Sequence, residues 1–445
     1  MATAAVEDNS HEARQSPSPA PSSRPLSPIQ EHEVADHEND SDRDHDDAAT
    51  QDVSDQESSC SDTSDASSAA TVLNFHVDSD AVVLVEKDSI KTVYQISSCS
   101  IALASPVWCA LLYGQDSKDR PAKGEWSITL EADPKALESI FRIVHYQFDQ
   151  VPTSPDLDEL FEIACLVSEC QCTHLTYPWA SNWVASLGEH PSLAEEDSLY
   201  AQCHKAIWIA WVFGDIKLFE KMTNVLIITC SVGAGGKLTN TAGTPLDDMI
   251  LPPGLLDMVS DIRMTVIIMM LEAVGFYINH LSSGDPDSKI FYCKVGKDVR
   301  ECEAMMLGSV LPKLVQAKLY PLPKGSDVVL SILDLKTTLD HIKTIPYVGR
   351  DWMPHKSHEP CCFIVRDLVS ACVENMPIPL KDGYLDHLIS QAKVSGIQCN
   401  NSSYQVLRQE HAKGSDIASS ASSEQESDGN DSSENIVESV VATPA

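Results

Sequence analysis

The segment from residue 255 to residue 281, LLDMVSDIRMTVIIMMLEAVGFYINHL, constrains the fold more than any other part of the sequence. As a helix it is apolar on nearly every side, whereas a surface helix carries its apolar residues on one stripe. Other elements must therefore surround it and remove its side chains from water. The sequence predicts a mostly helical domain with residues 255–281 as its buried central helix.

The two ends of the chain have the opposite character. Residues 1–71 hold 17 acidic residues against 3 arginines, and residues 414–445 hold 7 acidic residues and no lysine or arginine. Segments rich in Ser, Asp and Glu with few aromatic residues cannot bury enough surface to offset their ordering entropy. We predict disordered acidic tails over residues 1–71 and 401–445.

Composition also narrows the classes of function. The chain has a net charge of −35 and no basic stripe, so we expect no direct binding to nucleic acid. Uninterrupted apolar runs such as 206–213 and 265–270 are far shorter than the about 20 residues that span a bilayer. Fourteen cysteines without a secretion signal predict buried thiols in a reducing compartment. We therefore expect an intracellular protein, cytoplasmic or nuclear, with no membrane contact.

Short strands alternate with capped helices after the first tail. AVVLV (81–85) and VYQI (93–96) predict a hairpin, and WSITL (126–130) alternates as a third strand should. Helix starts are marked by capping residues, two of them followed by proline. These starts are a serine near residue 97, Ser105, Asp133 and Asp156, and Gly114 ends the second helix.

This order of strands and helices resembles the BTB/POZ domain. The resemblance rests on DAVVLV (80–85), YQI (94–96), LASPVWCALLYG (103–114), WSITLEADPKALESIFRIVHY (126–146) and LFEIACLVSECQC (160–172). Downstream, WIAWVFGDIKLFEKMT (208–223) and LPPGLLDMV (251–259) are similar to filamentous-fungal BTB proteins, which carry a helical region after the BTB domain. The resemblance implies an α+β fold, with a small sheet flanked by helices that serves protein–protein contact.

The resemblance and the composition together predict the layout of the chain. The predicted parts are an acidic tail (1–71), a BTB/POZ domain (72–190), a helical C-terminal domain (195–365), a short helical extension (366–400) and a second acidic tail (401–445).

The resemblance also implies residues for partner contact. Many BTB domains pair an early Asp with a His-Lys or His-Arg pair at a dimer interface. Asp80 matches that Asp, but Ser97 and Ser98 stand where the pair would be, so no charge-assisted bond is expected there. Asp80, Ser97, Ser98 and Trp108 are the candidate interaction residues.

HKSHEPCC (355–362) concentrates histidine and cysteine, the side chains that bind zinc. Structural zinc sites take four nitrogen or sulfur ligands, often two from each of two segments. A second segment is present, because Cys293 and Cys302 bracket the start of the helix ECEAMMLGSVLPKLVQAKL.

The fungal relatives are similar in having a Cys ahead of that helix, a Cys at its start and a later His-x-x-Cys. The resemblance therefore implies a structural Zn²⁺ held by Cys293, Cys302, His358 and Cys361, with His355 and Cys362 as spare ligands. The alternative is two unrelated sets of loop and core residues. No other cofactor is predicted.

Other candidate chemistry is weak. Residues 233–237 (GAGGK) do not form a phosphate-binding loop, because Ser231 stands where a glycine is needed and Leu238 follows the lysine. We interpret them as a flexible loop. Cys165, Cys170 and Cys172 lie in or just after an apolar helix, which predicts structural thiols. We expect no enzymatic activity.

The expected function is non-catalytic protein–protein interaction, as a scaffold or recruiter, with other proteins as partners. One alternative is a substrate adaptor of a cullin-RING ubiquitin ligase, although residues 114–125 (GQDSKDRPAKGE) lack a convincing copy of the hydrophobic-x-Glu element that such adaptors show. Another is a nuclear, chromatin-associated regulator whose acidic tails contact basic proteins. Self-association is a further expectation of the resemblance.

Overall fold

A computed structural model of the protein describes residues 71–87, 89–114, 126–187, 196–283, 291–296, 298–348 and 358–398. Apart from Thr71, the two predicted acidic tails lie outside these described residues, as does the segment after Gly114. Thr71 was predicted in the first tail and instead begins a strand. Across the part that is described, the chain is an α+β protein with twelve α-helices and a small mixed sheet, which confirms the predicted fold class.

The main sheet has four strands in the order β1-β3-β2-β4. The strands are β1 (Thr71–Asn74), β2 (Ala81–Lys87), β3 (Ile90–Ile96) and β4 (Ser127–Thr129). β2 and β3 form the predicted antiparallel hairpin, whereas β1 runs parallel to β3 and β4 parallel to β2. β1 was not predicted, because its four residues are mostly exposed and lack an apolar alternation.

Five helices accompany this sheet: α1 (Ser98–Ala104), α2 (Pro106–Tyr113), α3 (Pro134–Val144), α4 (Leu157–Glu169) and α5 (Ala180–Leu187). The predicted caps are confirmed. Ser105 accepts the backbone N–H of Trp108, and Asp156 and Glu159 form a reciprocal capping box. Gly114 ends α2.

The second half is mostly helical: α6 (Glu196–Phe213), α7 (Ile216–Thr229), α8 (Leu255–Ser283), α9 (Val299–Gln316), α10 (Ile332–Asp340), α11 (Ile364–Glu374) and α12 (Asp382–Ser395). Between α7 and α8, β5 (Ser231–Val232) pairs with β6 (Leu238–Thr239). The segment 233–237 is thus the turn of a hairpin rather than a free loop, and Gly235 and Gly236 supply its positive φ angles.

One hydrophobic core runs through both halves without a break. α4 and α12 both pack on α6. Gly214 follows α6 with φ of 82°, and a Cβ there would lie 2.2 Å from the backbone nitrogen of Ala392. The hydroxyl of Ser395 donates to the carbonyl of Phe213 over 2.5 Å. The segment 366–400 is therefore, as far as it is described, an integral part of the core.

The central helix α8 is buried as predicted, with residues such as Val259, Val266, Met270, Val274 and Tyr277 at 0% exposure. By length and composition it is also the one described helix that could cross a membrane, and half of its most apolar window is buried inside the protein. The uninterrupted apolar runs are much shorter than this apolar helix, because single polar residues interrupt its sequence. Its burial favours a core helix.

A buried cation fixes α8 to the loops around it. Arg263 is 2% exposed, and its guanidinium donates to the backbone carbonyls of Cys230 (3.4 Å), Val328 (3.1 Å) and Leu330 (2.7 Å). Burial lowers the pKa of Arg263 from its usual value. These bonds connect the end of α7 and the segment before α10 to the centre of the domain.

Replacing Arg263 with Met is expected to destabilise the protein by about 2–5 kcal/mol, because it leaves buried carbonyl groups without donors. Chemical denaturation followed by circular dichroism measures this loss. Arg300→Met, at an exposed position on α9, is the matched control and should change the free energy of unfolding by less than about 0.5 kcal/mol. Equal stability of the two variants would contradict the anchoring role of Arg263.

Candidate functional site

The structure brings the four predicted zinc ligands together. The ligand atoms of Cys293, Cys302, His358 and Cys361 all lie within 4.8 Å of one another, and all four residues are buried. This cluster, called the Cys₃His cluster below, could hold a metal ion.

Local structure positions each member of the cluster. Cys302 lies in the first turn of α9. Cys293 follows Tyr292, whose backbone N–H donates to the Glu303 carboxylate over 2.8 Å and so fixes this segment to α9. His358 and Cys361 belong to a 3₁₀ turn, where the Cys361 N–H donates to the His358 carbonyl over 3.0 Å.

The contacts inside the cluster are close. His358 Nδ1 lies 3.4 Å from Cys293 Sγ and 4.0 Å from Cys361 Sγ. The backbone N–H of Lys294 donates to Cys361 Sγ over 3.3 Å, a bond that favours a thiolate. Burial, the main cause, raises the pKa values of the Cys302 and Cys361 thiols, and the neighbouring thiols add to the rise for Cys302.

Aromatic residues surround the cluster, and no pattern in the sequence indicated them. The edge of the Tyr347 ring faces His358, with 5.3 Å between ring centroids. Tyr277 of α8 packs edge to face on Tyr292 at 4.8 Å, and its hydroxyl lies 3.3 Å from Met306 Sδ. The cluster is thereby connected to the central helix through side chains distant in sequence.

The two spare ligands stay outside the cluster. His355 lies outside the described residues. Cys362 is buried, but its thiol faces the His358 carbonyl at 3.9 Å, and it is absent from the cluster. Its own carbonyl accepts the N–H of Thr344 over 3.1 Å. Adjacency to Cys361 in sequence therefore does not make it a ligand, because the 3₁₀ turn directs the two side chains differently.

The cysteines of α4 do not have the character of nucleophiles. Cys170 and Cys172 are buried, as predicted, and Cys165 is half-buried. Burial, with nearby acidic groups, raises the pKa of Cys165 to about 12 and that of Cys170 to about 11. Because the thiolate is the reactive species, thiols with such pKa values are inert at neutral pH.

Asp80 finds its partners within the chain. Its carboxylate accepts the backbone N–H and the hydroxyl of Ser98, both at 2.8 Å. Because the Ser98 hydroxyl donates its only proton to Asp80, the Tyr113 hydroxyl, 2.7 Å away, must be the donor to Ser98 Oγ. Both of these donors to the Asp80 carboxylate belong to Ser98 and are neutral. Tyr113 was missed because only folding places α2 beside the start of α1.

Trp108 requires a correction. It is 2% exposed and packs on Phe141 with 5.6 Å between ring centroids, so it is a core residue and does not contact a partner. Other apolar residues of the same helical pair face outward. Leu103 is 84% exposed, and Val107 and Leu111 are also exposed. The surface formed by Leu103, Val107, Leu111 and Tyr113 is called the α1–α2 face below.

His145 supports the start of α1 from α3. Its Nε2 accepts the Ser97 N–H over 3.0 Å, so the ring proton is on Nδ1, which donates to the Phe141 carbonyl over 2.8 Å. Burial is the main cause that lowers the pKa of His145, and His76 contributes. Both ring nitrogens of the buried His145 are thus hydrogen-bonded within the core.

Comparison with protein-family models, curated proteins and solved structures found no match to this chain. Function is therefore inferred from the two features with distinctive geometry, the Cys₃His cluster and the α1–α2 face.

We expect acid to destabilise the protein through His145. Because the folded pKa is lowered, the unfolded chain binds the proton more readily, so stability falls as pH drops below about 6.5 and is fully present above it. His145→Gln should reduce the slope of unfolding free energy against pH just below about 6.5 by up to about 1.4 kcal/mol per pH unit. Asn182→Gln, at an exposed residue without a titratable group, should leave the slope unchanged; an unchanged slope in both variants would refute the role of His145.

Proposed function

We propose that this chain is a non-catalytic protein–protein interaction module of the BTB/POZ type, which acts as a scaffold or recruiter. The observation that carries the proposal is the α1–α2 face. A helical pair with a buried Trp108 on one side and several exposed large apolar residues on the other presents a surface that a partner protein can cover.

The surroundings of this face suit a docking surface. Cys99 and Cys109 on the same helices are also exposed. Tyr113 of the face is hydrogen-bonded to Ser98, which is in turn bonded to Asp80, and this network fixes α1 relative to α2 and β2. A fixed apolar surface loses little conformational entropy on binding, which favours affinity.

We propose further that the Cys₃His cluster binds a structural Zn²⁺. Bond lengths of about 2.3 Å to sulfur and 2.0 Å to nitrogen in a tetrahedron place ligand atoms about 3.5–3.8 Å apart. The His358 Nδ1 distances of 3.4 Å and 4.0 Å bracket that range. Three thiols and one imidazole are the donor set that zinc prefers.

The proposed zinc has a structural role. It joins the segment after α8, the first turn of α9 and the turn before α11. Four protein ligands complete a tetrahedron and leave no open position for a substrate or water. A divalent cation would also offset the burial that keeps Cys302 and Cys361 protonated.

Leu103→Glu combined with Leu111→Glu is expected to lower partner capture by at least about tenfold, because it places two charges in an apolar contact. The measurement is quantitative mass spectrometry of proteins recovered with the tagged full chain from its native cells. Val315→Glu, at an exposed apolar position on α9, is the control and should recover the wild-type set.

Three outcomes distinguish the partner classes. Loss of a co-purified second copy of the chain identifies self-association, loss of a cullin identifies the ligase adaptor, and loss of other proteins identifies a scaffold. Identical protein sets for the double variant and for wild type would refute the proposed role of the α1–α2 face.

Purified full-length protein should contain about one Zn²⁺ per chain, and Cys302→Ser should lose most of it, because each thiolate supplies a large share of the affinity. Elemental analysis measures the metal, and thermal unfolding with and without a chelator measures its contribution to stability. Cys362→Ser, which changes a buried thiol outside the cluster, should retain the metal. Less than about half an equivalent in the wild type would contradict the zinc site.

A further inference from the structure

A group of cations lies beside the Cys₃His cluster in an otherwise acidic chain. Lys294 directly follows Cys293, and Phe363 and Arg366 come shortly after Cys361. Lys313 of α9 and Lys343 face the same turn. These residues, Lys294, Lys313, Lys343, Phe363 and Arg366, are called the Phe363 patch below.

The ring of Phe363 organises the patch. Lys343 Nζ lies 5.5 Å from the ring centroid and Arg366 Cζ lies 4.5 Å from it, both within cation–π distance. The ammonium of Lys313 donates to the backbone carbonyl of Lys343. The Phe363 ring thus contacts two cations, and a third is hydrogen-bonded to the backbone of one of them, Lys343.

The patch carries an excess of positive charge. Asp367 pairs with both Lys294 (2.7 Å) and Arg366 (3.1 Å). Within the described ranges no carboxylate forms an ion pair with Lys313 or Lys343, and Glu359 is the other acidic group of this turn. Four cations therefore face two carboxylates, in a chain whose net charge is −35.

Apolar surface adjoins these cations. Ile345 is 55% exposed and Val348 is 69% exposed, and both follow Lys343 in the same segment. A ligand that matches the whole surface needs clustered carboxylates together with a few aliphatic side chains. A ligand with carboxylates alone would pair with the cations and leave the exposed apolar side chains without contacts.

We propose that the Phe363 patch binds the acidic C-terminal segment of the same chain, residues 414–445. This segment holds 7 acidic residues and no lysine or arginine, and it carries the aliphatic pairs Ile436-Val437 and Val440-Val441. The N-terminal acidic segment matches less well, because it includes 3 arginines. The proposal does not depend on whether the Cys₃His cluster binds zinc.

The chain is long enough for this contact. The described residues end at Gln398, and the residues between it and Gly414 can extend over about 50 Å at 3.3 Å per residue. A domain of this size has a radius of gyration of about 20 Å, and the extended linker spans more than twice that distance. Tethering also gives an effective concentration of order mM, at which a weak electrostatic contact is populated.

Zero-length carbodiimide cross-linking of the full chain tests the proposal, because it joins carboxylates only to amines in direct contact. A mixture of ¹⁵N-labelled and unlabelled chains separates intrachain from interchain products by mass. We expect intrachain cross-links from Asp416–Glu438 to Lys294, Lys313 and Lys343, reduced severalfold in about 1 M salt, where the Debye length is about 3 Å. Lys217 and Lys221, exposed on α7, should give few.

The charge-reversal variant Lys343→Glu with Arg366→Glu should lower cross-linking at Lys294 and Lys313 by about fivefold or more, since each lost contact is worth on the order of 1 kcal/mol. The control Lys217→Glu with Lys221→Glu should not lower it. Cross-links that are interchain, that start from the N-terminal segment, or that favour Lys217 and Lys221 would overturn the proposal.

A second measurement leaves the folded part of the chain unaltered. Replacing the seven tail carboxylates with amides should accelerate hydrogen exchange in residues 359–366 relative to the wild type, because a bound segment protects the amides that it covers. Equal exchange in the two proteins would also overturn the proposal.

Discussion

The need to cover α8 on nearly all sides is the constraint on which the rest of the structure depends. The 29-residue helix is about 44 Å long at 1.5 Å per residue, more than one neighbouring helix can cover. α7, α9 and α11 pack along it, and Arg263 binds the loops between them through their carbonyls. The buried positive charge of Arg263 is stabilised because its guanidinium donates hydrogen bonds to three backbone carbonyls.

The Cys₃His cluster holds short irregular segments in position beside one end of α8. Short irregular segments bury too few apolar atoms to hold one position through packing alone. Here the turn at 359–363 and the segment at 291–296 meet through Cys293, Cys361 and the N–H of Lys294. The same turn ends at the partly exposed Phe363, and the exposed Arg366 follows it in the first turn of α11. The buried Cys₃His cluster and the exposed, positively charged Phe363 patch therefore lie next to each other along the same short stretch of chain.

Local signals predicted much of this molecule. Capping at Ser105 and Asp156 depends on residues within three positions, and these helix starts are correct. Family resemblance added the four members of the cluster, which no local rule would pair across more than 50 residues. The Asp80–Ser98–Tyr113 network and the burial of Trp108 could not be predicted, because both depend on how α1 and α2 pack after folding. The central helix was predicted over 255–281, close to its observed bounds of Leu255–Ser283, because its apolar residues continue around the whole helix.

The continuity of the core limits how this protein can be divided, by evolution or in the laboratory. α6 contacts α4 on one side and α12 on another, and Gly214 leaves room for the backbone of α12 and nothing larger. The sheet region with its five helices consequently cannot be moved to another protein without exposing part of its core. A gene fusion or exchange made near residue 190 would separate α4 from α6 and expose the apolar side of α4.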